Sequence, residues 1–289
     1  MSIQTMIFRM MCKRSDTARD RGLTVPEGVK CLRNIRYGKN KKYHLLDIYL
    51  PKNVKGPVPT IVNFHGGGWV YGTKETYQFY CMSLAEQGFA VVNPNYCLAP
   101  KYRFPKAFKD INAVFGFVKK NAAEYGLDIN NLFGIGDSAG AAGMAIYAGL
   151  LSNPRYASEF PVKTPKGIRL KALALNCGSY TAIGKADFFV NILPKENADD
   201  VLRLLHLVDY VTPGYPPCYL LTATDDFLKD EQKPMEEALK KNGIRYISKI
   251  YGDENNRLGH VFHCNIRDKN AVEANHDEME FFRSFIAEE

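Results

Sequence analysis

The chain has 289 residues, enough for one large α/β domain, and its 46% hydrophobic content can fill a sizeable core. Its net charge of +7 is scattered, the densest basic stretch being Lys39, Lys41 and Lys42, which argues against a nucleic-acid-binding surface. Seven cysteines without paired spacing or a CxxC suggest neither a disulfide framework nor a zinc site, and they suit a reducing compartment.

The first segment, MSIQTMIFRMMCKRSDTARD, starts apolar but is interrupted by Arg9, Lys13 and Arg14, so it does not read as a signal peptide. No apolar run is long enough to cross a membrane, and the expectation is a soluble, cytoplasmic protein with neither membrane nor nucleic acid as partner. Residues 1–30 read as partly helical with a break near Pro26. NIRYG and YHLLDIYL, separated by the turn-like KNKK, predict an antiparallel hairpin. TIVNFHGGGW predicts a strand running into three glycines, ETYQFYCMSLAEQG a helix stopped by Gly88, and FAVVNPNY a buried strand. After Pro105, Phe108, Ile111, Phe115 and Val118 recur at steps of three and four, which predicts a helix closed by Gly126.

NLFGIG then reads as a strand and residues 139–151 as a buried helix. LKALALNCG, PCYLLTAT and RYISKIYG predict further strands, with a helix through DEQKPMEEALKKNG before the last. A final helix carries Val272, Met279, Phe282 and Ile286 on one side. Alternating strands and helices predict an α/β fold, a mostly parallel central sheet with helices on both faces. Two stretches, residues 1–30 and 180–213, interrupt the alternation and read as a small helical cap; the second contains ADDVLRLLHLVDYV, a helix. Met6, Phe8, Met10 and Met11 of the first, with Phe188, Phe189, Ile192, Leu193 and Leu205 of the second, are candidate walls of an apolar pocket.

In GIGDSAG, Ser138 stands on a strand-to-helix turn between Gly136 and Gly140, the pattern of a nucleophile elbow. The helix that follows aims its amide groups at the serine, where negative charge would develop. HGGGW, at the end of an earlier strand, offers bare backbone N–H groups for an oxyanion, to act with the N–H of Ala139 after the serine. His65 within it is read as a brace for the loop rather than a base. An elbow serine needs an acid and then a histidine, in that order. His206 falls on the apolar face of the cap helix and His276 on a polar part of the last helix, which leaves His260 and His263 in RLGHVFH. Asp225 and Asp226 follow a strand; Asp230 and Glu231 are assigned to the next helix's N-terminus.

Taken together, HGGGW, NYCLAPKYRFPKAF, GDSAG, DDFLKD and GHVF resemble the hormone-sensitive-lipase-like serine esterases of the α/β-hydrolase superfamily, from about residue 45 to the C-terminus. The resemblance implies a single α/β-hydrolase domain over residues 1–289, with Ser138 as nucleophile, Asp226 rather than Asp225 as acid and His260 rather than His263 as base. It places the oxyanion donors at Gly67, Gly68 and Ala139, and it implies no metal or organic cofactor. The chain departs from the family pattern at Ala141, where a glycine is usual, and in NYCLAPK, which replaces an acid, an arginine and a glutamate; these groups are read as structural ion-pair partners. The expected activity is hydrolysis of short-chain carboxylic esters, acetyl to hexanoyl, through an acyl-enzyme, with a small-molecule ester as partner and a homodimer left open. A deacetylase of acetylated sugars, an aryl formamidase and a non-catalytic small-molecule receptor are the alternatives. The family includes receptors with an incomplete triad, whereas all three members are present here.

Overall fold

The computed structural model describes residues 2–286. Helix α1 (Ile3–Asp20) starts under Ser2, whose hydroxyl accepts the Thr5 N–H. Strands β1 (Val29–Arg36) and β2 (Leu45–Pro51) form the antiparallel hairpin, and β3 (Val58–Phe64) runs into the glycine loop. Helix α2 (Gln78–Glu86) and strand β4 (Ala90–Pro94) follow. Helix α3 (Lys106–Tyr125) buries the face expected from its spacing, Phe108, Ile111, Phe115 and Val118, together with Val114. It ends at Gly126, whose φ of 66° is the left-handed conformation that glycine adopts without a Cβ clash.

Strand β5 (Leu127–Asp137) leads through Ser138 into α4 (Ala139–Ser152), and the short α5 (Pro154–Glu159) follows. The remaining elements are β6 (Leu173–Asn176), α6 (Ala186–Phe189), α7 (Ala198–Leu205), β7 (Cys218–Ala223), α8 (Gln232–Lys241), β8 (Tyr246–Tyr251) and α9 (Lys269–Arg283). The eight strands lie in the order β1-β2-β4-β3-β5-β6-β7-β8, antiparallel through β1-β2-β4 and parallel from there on. Successive residues of a strand feed opposite layers: Val62 belongs to the core cluster shared with α3, α4 and α8, and Ile61 to the one shared with α2 and α9. The parallel strands all present their C-terminal ends at one edge, where the glycine loop and the serine turn meet.

Two expectations need correction. The stretch read as one helix in ADDVLRLLHLVDYV breaks after Leu205; His206 leaves helical geometry and a 3₁₀ turn covers Leu207–Tyr210. At the break, the Nδ1 of His206 accepts the Ala182 N–H at 3.0 Å. In α9, Val272 is 53% exposed although Met279 and Phe282 are buried. The inner face is set by Ala271, Ala274, Asn275 and Glu278 as well. Two buried polar residues on that face shift its phase away from the one counted from apolar residues alone.

Candidate active site

Ser138 sits at the tip of β5 with φ 52° and ψ −120°, a backbone conformation that L-residues adopt at a cost. The turn is tight because α4 starts directly against β3. A Cβ on Gly140 would stand 1.7 Å from the Phe64 carbonyl oxygen, and one on Gly136 would stand 2.6 Å from the Gly140 backbone. The glycines around the serine therefore answer to packing as much as to the turn. The Ser138 N–H donates to the Asn176 carbonyl at 2.8 Å, tying the elbow to the end of β6.

The loops after β7 and β8 bring the acid and the histidine to this serine. His260 Nε2 lies 3.0 Å from Ser138 Oγ, and His260 Nδ1 lies 2.7 Å from Asp226 Oδ1. With Nδ1 donating to Asp226, Nε2 is left to accept the serine O–H. Asp226 also accepts the Leu228 N–H at 2.8 Å and the Thr222 hydroxyl at 2.7 Å. Burial would raise its carboxyl, but His260 beside it and these donors outweigh that and hold it at about 2. Asp225 points away to Arg257, 3.3 Å off, at the surface. His263 is fully buried under the loop, and burial lowers its imidazole to about 3. His276 is exposed on α9, within 3.9 Å of Glu280.

The glycine loop faces the serine from β3. Gly67 and Gly68 have φ of 108° and 58°, and the Gly67 carbonyl accepts the N–H groups of Val70 and Tyr71, closing a turn. A Cβ at Gly67 would stand 2.4 Å from the Tyr71 carbonyl oxygen. Both glycines line one cavity with Ser138, Ala139 and His260. His65 is buried between the rings of Tyr77 and Tyr96, with Nδ1 2.8 Å from the Gly66 carbonyl oxygen, and burial lowers it to about 4. It braces the loop and does not reach the serine's partners.

Asp137 was not legible as a site residue. Its Oδ1 accepts the Gly66 N–H at 3.0 Å and its Oδ2 the Tyr77 hydroxyl at 2.7 Å, so it joins elbow to glycine loop. Burial raises its carboxyl to about 6 despite these donors. Its position in GDSAG is a signal, but only the fold brings Gly66 and Tyr77 to it. Glu231, read as a helix N-terminal acid, instead accepts the Tyr180 and Thr181 N–H groups at 2.9 and 3.0 Å and pairs with Lys185, pinning the segment before α6. Asp230 stays exposed. Ala141 is fully buried. In NYCLAPK, Asn95 Oδ1 accepts the Lys74 N–H at 2.7 Å, and the Cys97 N–H donates to Asp110 at 2.9 Å, so this segment is structural.

The cavity over Ser138 measures about 400 Å³. Phe8, Phe188 and Phe189 line it as expected, joined by Phe227, Val70 and Val261. The other candidate wall residues do not. Met6, Met10 and Met11 point to solvent, and Ile192, Leu193 and Leu205 pack into the main core. Among the described residues, two groups offer three ligand atoms close enough for a metal ion, His44–Cys97–Asp110 and Cys177–Asp226–His260. In the first, the Lys106 ammonium already contacts Asp110; the second shares the Asp and His that face Ser138.

Residues 46–184 match the BD-FAE family profile. The whole fold superposes on esterase B from Lactobacillus rhamnosis with a TM-score of 0.90, at 22% identity and covering 98% of this chain and 94% of that one. The chain has the α/β-hydrolase fold. The chain is 28% identical over 215 residues to a versiconal hemiacetal acetate esterase of Dothistroma septosporum, covering 68% of this chain and 65% of that protein. It is 36% identical over 104 residues to carboxylesterase NlhH of Mycobacterium tuberculosis, covering 36% of this chain and 33% of that protein. The alignments thus span less than two thirds of these relatives' own length. Among the described residues, no helix is long and apolar enough to cross a membrane.

Proposed function

We propose that the chain is a serine esterase that hydrolyses short-chain carboxylic esters. The observation that carries this is the unbroken line from Ser138 Oγ through His260 to Asp226, at 3.0 and 2.7 Å, opening into an apolar cavity. In the reaction, Ser138 attacks the ester carbonyl carbon while its proton passes to His260 Nε2, and Asp226 steadies the imidazolium that forms. The N–H groups of Gly67, Gly68 and Ala139 receive the oxyanion. The tetrahedral adduct expels the alcohol, which takes the His260 proton. Water, deprotonated by His260, then attacks the acyl-enzyme and regenerates Ser138.

The names of the relatives support ester hydrolysis as the reaction class. For the acyl group, the support is the modest cavity and its Phe8, Phe188 and Phe227 walls; esterase B has also been crystallised with a tributyrin phosphonate. Each buried methylene adds about 0.8 kcal/mol only until the wall is met, which favours acetyl to hexanoyl chains. Among the described residues the cysteines are free thiols, which suits the cytoplasm. The test is a p-nitrophenyl ester series from about two to about sixteen carbons, run beside fluorophosphonate labelling. Peak activity at or below about six carbons, with the label on Ser138, is the expected result. A peak at about twelve or more carbons would replace the short-chain reading with a lipase.

A further inference from the structure

Helix α1 is turned inside out. Apart from Phe8 and Cys12 at the cavity, the residues that tie it to the protein are polar: Thr5 donates to Asn191, Arg9 to the Val70 and Ala99 carbonyls, and Arg19 to the Thr76 carbonyl, while Asp16 accepts from the Tyr71 hydroxyl. The residues it directs at solvent are apolar. Ile3, Met6, Ile7, Met10 and Met11 are between 47% and 77% exposed, and they recur at the three- and four-residue steps of one helical stripe. An ordinary surface helix has the opposite arrangement, so this stripe is built to be covered.

Its surroundings extend the patch. Phe8 of α1 lines the cavity mouth with Phe188 and Phe227, all three 40% exposed or more, and Ile183 and Val190 are exposed beside Phe188. Elsewhere the described chain exposes only Val25, Val54, Ile247, Ile250 and Val272 among its large hydrophobic residues. Charge selects the partner. The first fifteen residues contain no acid, and exposed Lys13 and Arg14 continue along the helix one turn beyond the methionines. Asp187 is the exposed acid between 183 and 190, and it lies off α1.

We propose that α1 and the rim of the cavity dock onto a lipid surface bearing anionic headgroups. The apolar stripe enters the headgroup–acyl boundary, Lys13 and Arg14 meet the anionic groups, and the cavity opens toward the apolar phase. A second copy of the chain is a poorer occupant. A twofold contact through this face would set cationic helices against each other and lid the cavity. The absence of a spanning segment, which led to the expectation of no membrane partner, does not bear on a helix lying in the interface. The proposal rests on how α1 is oriented and stands apart from the catalytic reading.

The test is co-sedimentation of the full chain with phosphatidylcholine vesicles, with or without phosphatidylserine. The comparison variant is Met6→Gln/Met10→Gln/Met11→Gln, which keeps good helix formers and touches no cavity residue. The wild type should sediment with the anionic vesicles, less with neutral ones, and less again in high salt. In the variant the bound fraction should fall about tenfold or more, with melting temperature and p-nitrophenyl acetate hydrolysis unchanged. Ser138→Ala should bind vesicles like the wild type, which separates this outcome from any failure of the esterase reading. Wild-type protein left in the supernatant, or equal binding by the methionine variant, overturns the proposal. So does a dimer seen by light scattering that the variant turns to monomer.

Discussion

Helices α4 and α1 approach the Ser138 cavity from different sides and are held there by opposite means. Twelve of the fourteen residues of α4 are buried, and its small Ala and Gly positions let it lie against β3 and β5 with no room for one more carbon. Of the eighteen residues of α1, Thr5 alone is buried, and the helix hangs on hydrogen bonds to loop carbonyls. Ser138, the proposed nucleophile, thus rides on the core, where close packing fixes the backbone. The cavity wall that α1 supplies rides on separable polar contacts. Changes on the α4 side should cost chemistry or the fold, and changes on the α1 side should cost substrate handling with little loss of stability.

The largest expected effect is on the core side. Ser138→Ala should lower kcat by about 10⁴-fold or more with the melting temperature unchanged, and fluorophosphonate labelling should disappear with it. Label retained on a different serine would move the nucleophile elsewhere. Asp226→Asn and His260→Ala should remove most turnover, while Asp225→Asn keeps at least about a tenth. His263→Ala should also keep that activity but lose about 2–4 kcal/mol in a denaturant titration, because it empties a fully buried site. The reverse ranking would mean that the two loops had exchanged roles.

Adding a Cβ at Gly67 sets it against the Tyr71 carbonyl, so Gly67→Ala should lower kcat about 10²-fold as the oxyanion donors shift. Unchanged kcat would free this loop from the oxyanion role. On the α1 side, Arg9→Ala removes donors to the Val70 and Ala99 carbonyls, and about 1.5–3 kcal/mol is the usual scale for such charged bonds. Limited proteolysis should release the first segment faster, with KM raised more than kcat lowered. A cooperative loss of the whole fold would show that α1 belongs to the core after all.

The smallest effect is on pH dependence. Asp226 is held below its ordinary 3.8, at about 2, so its contribution to stability is complete above the ordinary value and is lost as pH falls through the lower one. Wild-type protein should therefore lose stability over that acid range by an increment that Asp226→Asn lacks. Parallel acid-stability curves for the two would show that the carboxylate is not held in its charged form.

Much of the site could be read from local pattern. The strand–turn–helix around Ser138, the triple glycine after β3 and the chain order of acid and histidine are short-range constraints. Each needs particular residues at fixed offsets, because a strained turn or a bare-backbone loop tolerates few alternatives. The choice of Asp226 over Asp225 and of His260 over His263 came from resemblance, since adjacent residues in a loop carry no periodicity to separate them. Among buried polar residues local pattern misled: Glu231 looked like a helix-capping acid, and Asn275 with Glu278 shifted the inner face of α9.

By itself, the sequence determined the alternation of strands and helices, the parallel sheet, the elbow and the helical reach of α3, because apolar periodicity and glycine placement act within a few residues. Tertiary structure decided what those elements meet. It alone set Asp137 against Gly66 and Tyr77, brought the His206 ring to the Ala182 N–H where the helix breaks, and pinned the segment before α6 with Glu231. It also turned the methionines of α1 outward, against the hydrophobic pattern that would have buried them. The physical reason is range. A hydrogen-bond donor or acceptor is satisfied by whichever partner the fold delivers, often many tens of residues away, and no local pattern records which partner that is.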